Sequence, residues 1–213
     1  MINKIIKIGK ISTSRVELVD ITKAWIMVAL TFTFLFSGVN LADGTLSFSK
    51  LESSSFWLLV LISLFTAGIG FLLHELAHKF SAQHYGCAAE FRSFDQMLFF
   101  ALLLAVGVGF TFIAPGAVMI SGMITRKENG IISLAGPIVN YILALLFLGL
   151  MFFIPAGAFF FSIGFQINLW LGLFNMIPFM NFDGAKIWHW NIPIWIAMVG
   201  FGVFFLFFLG RMI

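Results

Sequence analysis

Between its charged residues the chain carries apolar blocks longer than the core helices of a water-soluble domain, at 24–42, 53–73, 96–125, 129–182 and 187–210. A helix needs about 20 apolar residues to cross ~30 Å of hydrocarbon, so the blocks predict membrane spans, and 129–182 has room for two. Composition agrees. Of 213 residues, 61% are hydrophobic and 10% charged, which excludes an ordinary soluble globular domain. The expected fold class is an all-α polytopic membrane protein with about five full spans plus a re-entrant helix/strand segment. A few short β-strands are expected at the cytosolic leaflet.

The net charge of +3 and pI near 9.2 come from a few residues at segment ends, so they report orientation and give no reason to expect a nucleic-acid partner. Lys4, Lys7, Lys10 and Arg15 precede the first span and favour a cytosolic N-terminus in a multi-pass protein of the cell membrane. The first apolar run is too long for a cleavable signal peptide and lacks a small-residue cleavage site close behind it. Cys87 is the single cysteine, which excludes an internal disulfide.

Along the chain, residues 5–21 alternate loosely between apolar and polar with frequent Ile, Thr and Val, predicting a short strand or interfacial arm. Span one follows at about 24–42, and span two starts near Phe56 with Trp57 as interfacial anchor, running through His74 and His78 to about Tyr85. From Ser55 to His74 a helix rises roughly 28 Å, which puts the histidines at or just within the cytosolic leaflet. Lys79 and Arg92 then fall on the inside.

The stretch 96–125 starts as a helix over 97–104 but is then punctuated by Gly107, Gly109, Pro115, Gly116 and Gly122, with short strands expected at 110–112 and 117–120. A re-entrant path is favoured because it returns Arg126 and Lys127 to the cytosolic side. Irregular backbone at that depth must be covered by protein or line a polar cavity. Spans at 131–154 and 159–177, joined by Pro155-Ala156-Gly157, bring Asp183 back to the same side. A last span at 192–209 leaves Arg211 outside.

His74-Glu75-Leu76-Ala77-His78 is an HExxH pattern. Residues four apart on a helix are offset by about 40°, so both imidazoles address one ion, while Glu75 beside them can take a proton without being a ligand. The plainer reading is two packed or capping histidines. Glu and His are costly inside a span, which weighs against it. A hydrolytic zinc site needs a third protein ligand. Asp183 is one candidate, although Asp183-Gly184 is also an ordinary turn pair. His189 competes from among Trp188, Trp190 and Trp195, and His84 and Glu90 read as solvated surface residues.

The chain resembles the site-2 protease family of intramembrane zinc metalloproteases in three places. The first is the HExxH pattern. The second is Gly136-Pro137-Ile138-Val139-Asn140, similar to the family's glycine-proline-x-x-asparagine motif. The third is Asn175-Met176-Ile177-Pro178 leading into Phe182-Asp183-Gly184, similar to its asparagine-x-x-proline and leucine-aspartate-glycine stretch. Order and spacing agree across about 56–187, the expected core of a single integral membrane metalloprotease domain over 1–213.

The resemblance implies one Zn2+ per chain held by His74, His78 and Asp183, with Glu75 as catalytic base. It also implies that Asn175 lines the active site, where its amide could bond substrate or a developing oxyanion. Read alone, Asn175 before Pro178 is about equally a structural cap. Asn140 and Gly136 are expected to make an interhelical hydrogen bond and a close helix contact.

The departures are Ala77 where glycine is frequent, Ala185 replacing the second of a glycine pair, and an apolar insertion before Phe110. They spare every reactive group. The implied activity is hydrolysis of peptide bonds in transmembrane protein substrates near the cytosolic leaflet by a zinc-activated water, with residues 110–120 open to an unwound substrate as an added strand. The alternatives are a transporter or channel, whose pathways also show broken apolar segments and intramembrane polar groups, and a proteolytically silent zinc-binding membrane protein. Nothing in the sequence sets an oligomeric state.

Overall fold

A computed structural model describes residues 5–8, 11–111 and 115–208. Lys4, Lys10, Phe112, Leu209 and Arg211, which entered the expectations above, lie outside the described residues. The chain divides into two compact units, residues 1–72 with 90–119, and residues 73–89 with 120–213.

In the first unit the alternating N-terminal stretch forms an antiparallel hairpin of β1 (Ile5–Ile8) and β2 (Ile11–Ser14), with Ile5 opposite Ser14 and Ile8 opposite Ile11. Helix α1 (Arg15–Ser37) begins well before the apolar block does. Ser14 caps it by accepting from the Glu17 N–H at 3.2 Å, and Gly38 ends it in the left-handed region at φ 60°. Its polar first turns stay helical because their carboxylates are bound. Glu17 is fully buried and accepts from the Phe91 N–H at 2.9 Å and the Thr13 hydroxyl at 2.7 Å.

After the short α2 (Phe48–Leu51), α3 (Ser54–Ser63) continues through a π-helical turn, Leu64–Gly68, into α4 (Ile69–His84). The wider turn is clamped by Trp25, whose indole N–H donates to the Leu64 carbonyl at 3.0 Å. A Cβ on Gly68 would stand 2.6 Å from that indole, so only glycine lets the two helices approach this closely.

Strand β3 (Ala88–Ser93), α5 (Asp95–Val108) and β4 (Gly116–Ser121) carry the punctuated stretch. β3 and β4 form a two-stranded sheet, and the Phe94 N–H donates to the Pro115 carbonyl at 3.0 Å, so the two ends of 94–115 are held side by side. Helix α5 rises about 21 Å, short of the hydrocarbon thickness. It stops at Gly109, which has φ 67°. Phe110 and Thr111 are not strand, because the chain is still leaving that turn, whereas the strand expected at 117–120 lies within β4.

In the second unit α6 (Arg126–Phe153) starts earlier than its apolar run, since Thr125 and Glu128 form a capping box. A 3-10 turn, Pro155–Gly157, leads into α7 (Ala158–Asn175). Tyr141, Ala144 and Phe147 pack on Phe165 and Leu169 as the core, with Gly164 admitting the Phe147 ring and Gly172 that of Tyr141. Helices α8 (Asp183–Trp190) and α9 (Ile192–Phe208) follow. The Tyr141 hydroxyl donates to the Met198 carbonyl at 3.1 Å, and the Trp195 indole N–H to that of Met176 at 2.8 Å.

Among the described residues, four helices are long and apolar enough to cross a membrane: Arg15–Ser37, Ser54–His84, Arg126–Phe153 and Pro155–Asn175. Asp95–Val108 and Ile192–Phe207 are shorter apolar helices. Large apolar side chains such as Leu58, Leu61, Phe65, Ile142 and Leu146 stand exposed on these spans, an outer surface suited to lipid. The chain is a mostly α-helical membrane protein.

Candidate metal centre

The HExxH residues lie on α4 in the second unit. Their helical spacing sets the His74 and His78 rings edge to face, centroids 4.6 Å apart, with the two Nε2 atoms 3.0 Å from one another. Asp183 closes the group from the first turn of α8, its Oδ2 lying 3.3 Å from His74 Nε2 and 3.0 Å from His78 Nε2. All three side chains are buried. Four ligands at 2.0–2.1 Å from a tetrahedral zinc are about 3.3 Å apart, so these atoms stand close to one face of such a tetrahedron.

The loop before α8 has little freedom. Gly184 lies against the Met176 backbone with no room for a Cβ, and the Met176 carbonyl is held by Trp195. A carboxylate in the first turn of α8 is also favoured by that helix's dipole. Lys186, one turn on, brings its ammonium within 3.7 Å of Asp183 Oδ1, the oxygen turned away from the histidines.

Hydrogen bonds settle where the ring protons are. His78 Nδ1 lies 2.8 Å from the Ile132 carbonyl oxygen, which only accepts, so Nδ1 carries a proton and in the neutral ring Nε2 keeps a lone pair. His74 Nδ1 lies 2.5 Å from Asn140 Oδ1 and is protonated for the same reason. With both rings neutral, two lone pairs and a carboxylate oxygen converge with no donor among them, an arrangement that repels itself unless a cation sits between. Imidazole, imidazole and carboxylate are a donor set that suits zinc.

Gly136 on α6 keeps the space clear. A Cβ there would come within 2.6 Å of His74 Nε2 and strike His78 Nε2 as well. Pro137 follows, and its missing N–H leaves the Ser133 carbonyl without its helical donor, so the helix backbone is open on this turn. The close helix contact expected of Gly136 is thus a contact with the imidazoles themselves.

Among the described residues, His74, His78 and Asp183 are the one group of three or more His, Cys, Asp and Glu placed to hold a metal ion. Glu75 is half-buried on α4, next to His74. Asn175 ends α7 outside the cluster and donates from Nδ2 to the Leu171 carbonyl at 2.9 Å. His189 is exposed, with Nδ1 2.8 Å from the Ala185 carbonyl, and His84 is exposed against Tyr85. Glu90 pairs with Arg92. Sequence reasoning missed three contributors: the bond from His74 to Asn140, the Ile132 carbonyl, and Asn168 behind Asn140. Asn140 had a signal in its motif; a backbone carbonyl has none.

A protein of Methanocaldococcus jannaschii named "Putative zinc metalloprotease MJ0611" is 40% identical to this chain over 191 residues, covering 88% of the chain and 90% of the relative. The chain belongs to this family of zinc metalloproteases. "Zinc metalloprotease MJ0392" of the same organism is 29% identical over 142 residues, 65% of this chain and 36% of the relative. "Putative zinc metalloprotease Rip2" of Mycolicibacterium smegmatis is 32% identical over 130 residues, 53% of this chain and 50% of the relative. No protein-family model and no solved structure matches the chain. For a zinc metalloprotease the converging imidazoles and carboxylate are the expected chemistry, here presented by the long apolar helix Ser54–His84 and the first turn of the short helix α8.

Proposed function

We propose that this metalloprotease is of the site-2 protease type and cleaves transmembrane protein substrates within the bilayer, near the cytosolic leaflet of the cell membrane. The observation that carries the reading is the position of the three acceptors: two of them sit on the helix Ser54–His84, which is long and apolar enough to span. His74, His78 and Asp183 are the metal ligands. When bound, zinc supplies Lewis acidity, which brings the ionisation of water toward neutral pH and polarises a peptide carbonyl. Glu75 accepts the proton from the attacking water and returns it to the leaving amine.

Asn175, braced against Leu171, keeps Oδ1 and one N–H for the substrate. The pairing of β3 with β4 supports a re-entrant path for 94–115, which returns Arg126 and Lys127 to the side of Arg92. With the basic N-terminus this favours a cytosolic face for all of them. A substrate helix has its carbonyls bonded internally, so it must unwind locally, and the sheet in this region is a natural acceptor for an extended segment.

The deciding experiment is Glu75→Gln assayed on co-expressed single-span proteins. Glutamine keeps the size and the hydrogen bonding but cannot accept a proton at neutral pH. Zinc content and fold should be unchanged and cleavage should fall by ~10²–10⁴-fold or more. Cleavage at the wild-type rate would defeat the mechanism. Absence of cleavage in both forms, with zinc bound, would favour a silent zinc-binding protein.

A further inference from the structure

Asn168 is fully buried on α7, outside every motif in the sequence, and the proposed hydrolysis makes no use of it. Its surroundings dictate how its amide is turned. Nδ2 is 2.9 Å from the Gly164 carbonyl oxygen, which can only accept, so the amino group faces Gly164 and Oδ1 faces away. Oδ1 then accepts from Asn140 Nδ2 at 3.1 Å, which turns the oxygen of Asn140 toward His74. That oxygen accepts from His74 Nδ1 at 2.5 Å. One backbone carbonyl on α7 thus sets the direction of three side chains on three helices, and the series ends at the His74 lone pair that faces Asp183 and His78.

Reversal would undo the site. With Asn140 flipped, its amino group would meet His74 Nδ1, the ring proton would move to Nε2, and an N–H would point where a ligand lone pair is needed. The two orientations of an asparagine amide differ little in shape, so packing alone does not prevent the flip. His78 needs no such device, because the Ile132 carbonyl holds it directly.

We infer that Asn168 is a positioning residue of the metal centre, holding His74 through Asn140 in its Nδ1-protonated, metal-ligating form. The inference rests on His74 being a zinc ligand, as proposed above. Its test uses the purified full chain in detergent, with zinc affinity read by chelator competition and ligand geometry by the visible absorption of the Co2+-substituted protein. Asn168→Leu should weaken zinc by ~10–100-fold and alter the Co2+ spectrum with helical content retained. Asn168→Asp, as a neutral buried acid, keeps an acceptor for Asn140 and a donor for Gly164, and should bind close to wild type.

A merely structural role is separated by a cycle. In an Asn140→Ala background Asn168→Leu should cost no further zinc affinity, because the intermediary is already gone. If Asn168→Leu does not fold, Asn168→Ala takes its place in the same cycle. Wild-type affinity and spectrum in the folded variant, an equal loss with and without Asn140, or an Asn168→Asp as weak as Asn168→Leu would each overturn the inference. A wild-type chain that binds no stoichiometric zinc would defeat the underlying metal-centre reading, and that is seen before any substitution is compared.

Discussion

In the unit that carries α1, the buried carboxylates meet donors: Glu17 accepts from the Phe91 N–H and the Thr13 hydroxyl, and Asp20 from Ser93 at 3.2 Å with Lys23 at 3.1 Å. In the other unit the buried carboxylate of Asp183 meets two imidazole nitrogens whose protons point elsewhere, to Ile132 and Asn140. Both clusters hold buried acids, and burial alone would rank them alike. What separates them is the inventory of donors and acceptors. The first closes on itself and needs nothing further. With both rings neutral, the second leaves three acceptors facing one another, and a bound cation, metal ion or proton, resolves it.

The comparison breaks most sharply at Gly136. Gly136→Ala adds a methyl where the two Nε2 atoms converge, without replacing a ligand, and should reduce zinc content to the level of Asp183→Ala. His189→Ala should keep its zinc, since that ring is exposed and held to its own helix. Metal analysis of the purified variants checks all three. Full zinc in Gly136→Ala would mean that the ion does not sit between these atoms. Chelation of the wild type should lower its thermal midpoint, because repulsion among the acceptors returns and the stabilisation by bound ion is lost.

Glu17→Ala tests the self-satisfied cluster and should do the opposite. It leaves the buried Phe91 N–H without its acceptor, at a cost of ~1–3 kcal/mol in stability, while zinc affinity stays at the wild-type value. Thermal unfolding and chelator competition on the same sample read both quantities. A drop in zinc affinity comparable to that of a ligand variant would mean that the two clusters are coupled.

Much of the site was legible because helical spacing makes His74 and His78 neighbours wherever α4 goes, and because a span makes such residues costly enough to need a reason. Asp183 was harder, since its approach depends on a tertiary fit, Gly184 against Met176, which a turn pair does not announce. Four of the expected spans fall on helices long and apolar enough to cross a membrane, and the fifth falls on the shorter helix α9. Their starts were read late at α1 and α6, where Ser14 and the Thr125–Glu128 box extend the helix into polar sequence. The π-helical turn at Leu64–Gly68 and its Trp25 clamp had no signal in hydrophobic pattern, because a one-residue widening leaves an uncharged, mostly apolar run unchanged. Asn140 was read as an interhelical bond, which is correct in kind, and its partners are Asn168 and His74 of the candidate metal centre.

The smallest expected effect lies at the exposed rim of the first cluster, where Lys23 Nζ donates to both carboxylate oxygens of Asp95 at 2.8 Å and the Ser93 hydroxyl donates to one of them at 2.5 Å. Those bonds, Lys23 first, hold the Asp95 carboxyl below the usual carboxylate range. A carboxyl depressed in the folded state contributes stability that is fully present above its ordinary value near 3.8 and is lost as pH falls through the lower, folded one. Asp95→Asn should therefore lower the thermal midpoint slightly at neutral pH, and the gap from wild type should close as the pH is taken well below about 4. Added salt should also narrow it, since the pair stands in solvent, where long side chains and screening leave such bridges little net worth. A loss as large as that of Glu17→Ala, persisting in high salt, would mean that exposure does not weaken this rim. The contrast between clusters would then rest on donor inventory alone, with burial contributing nothing to it.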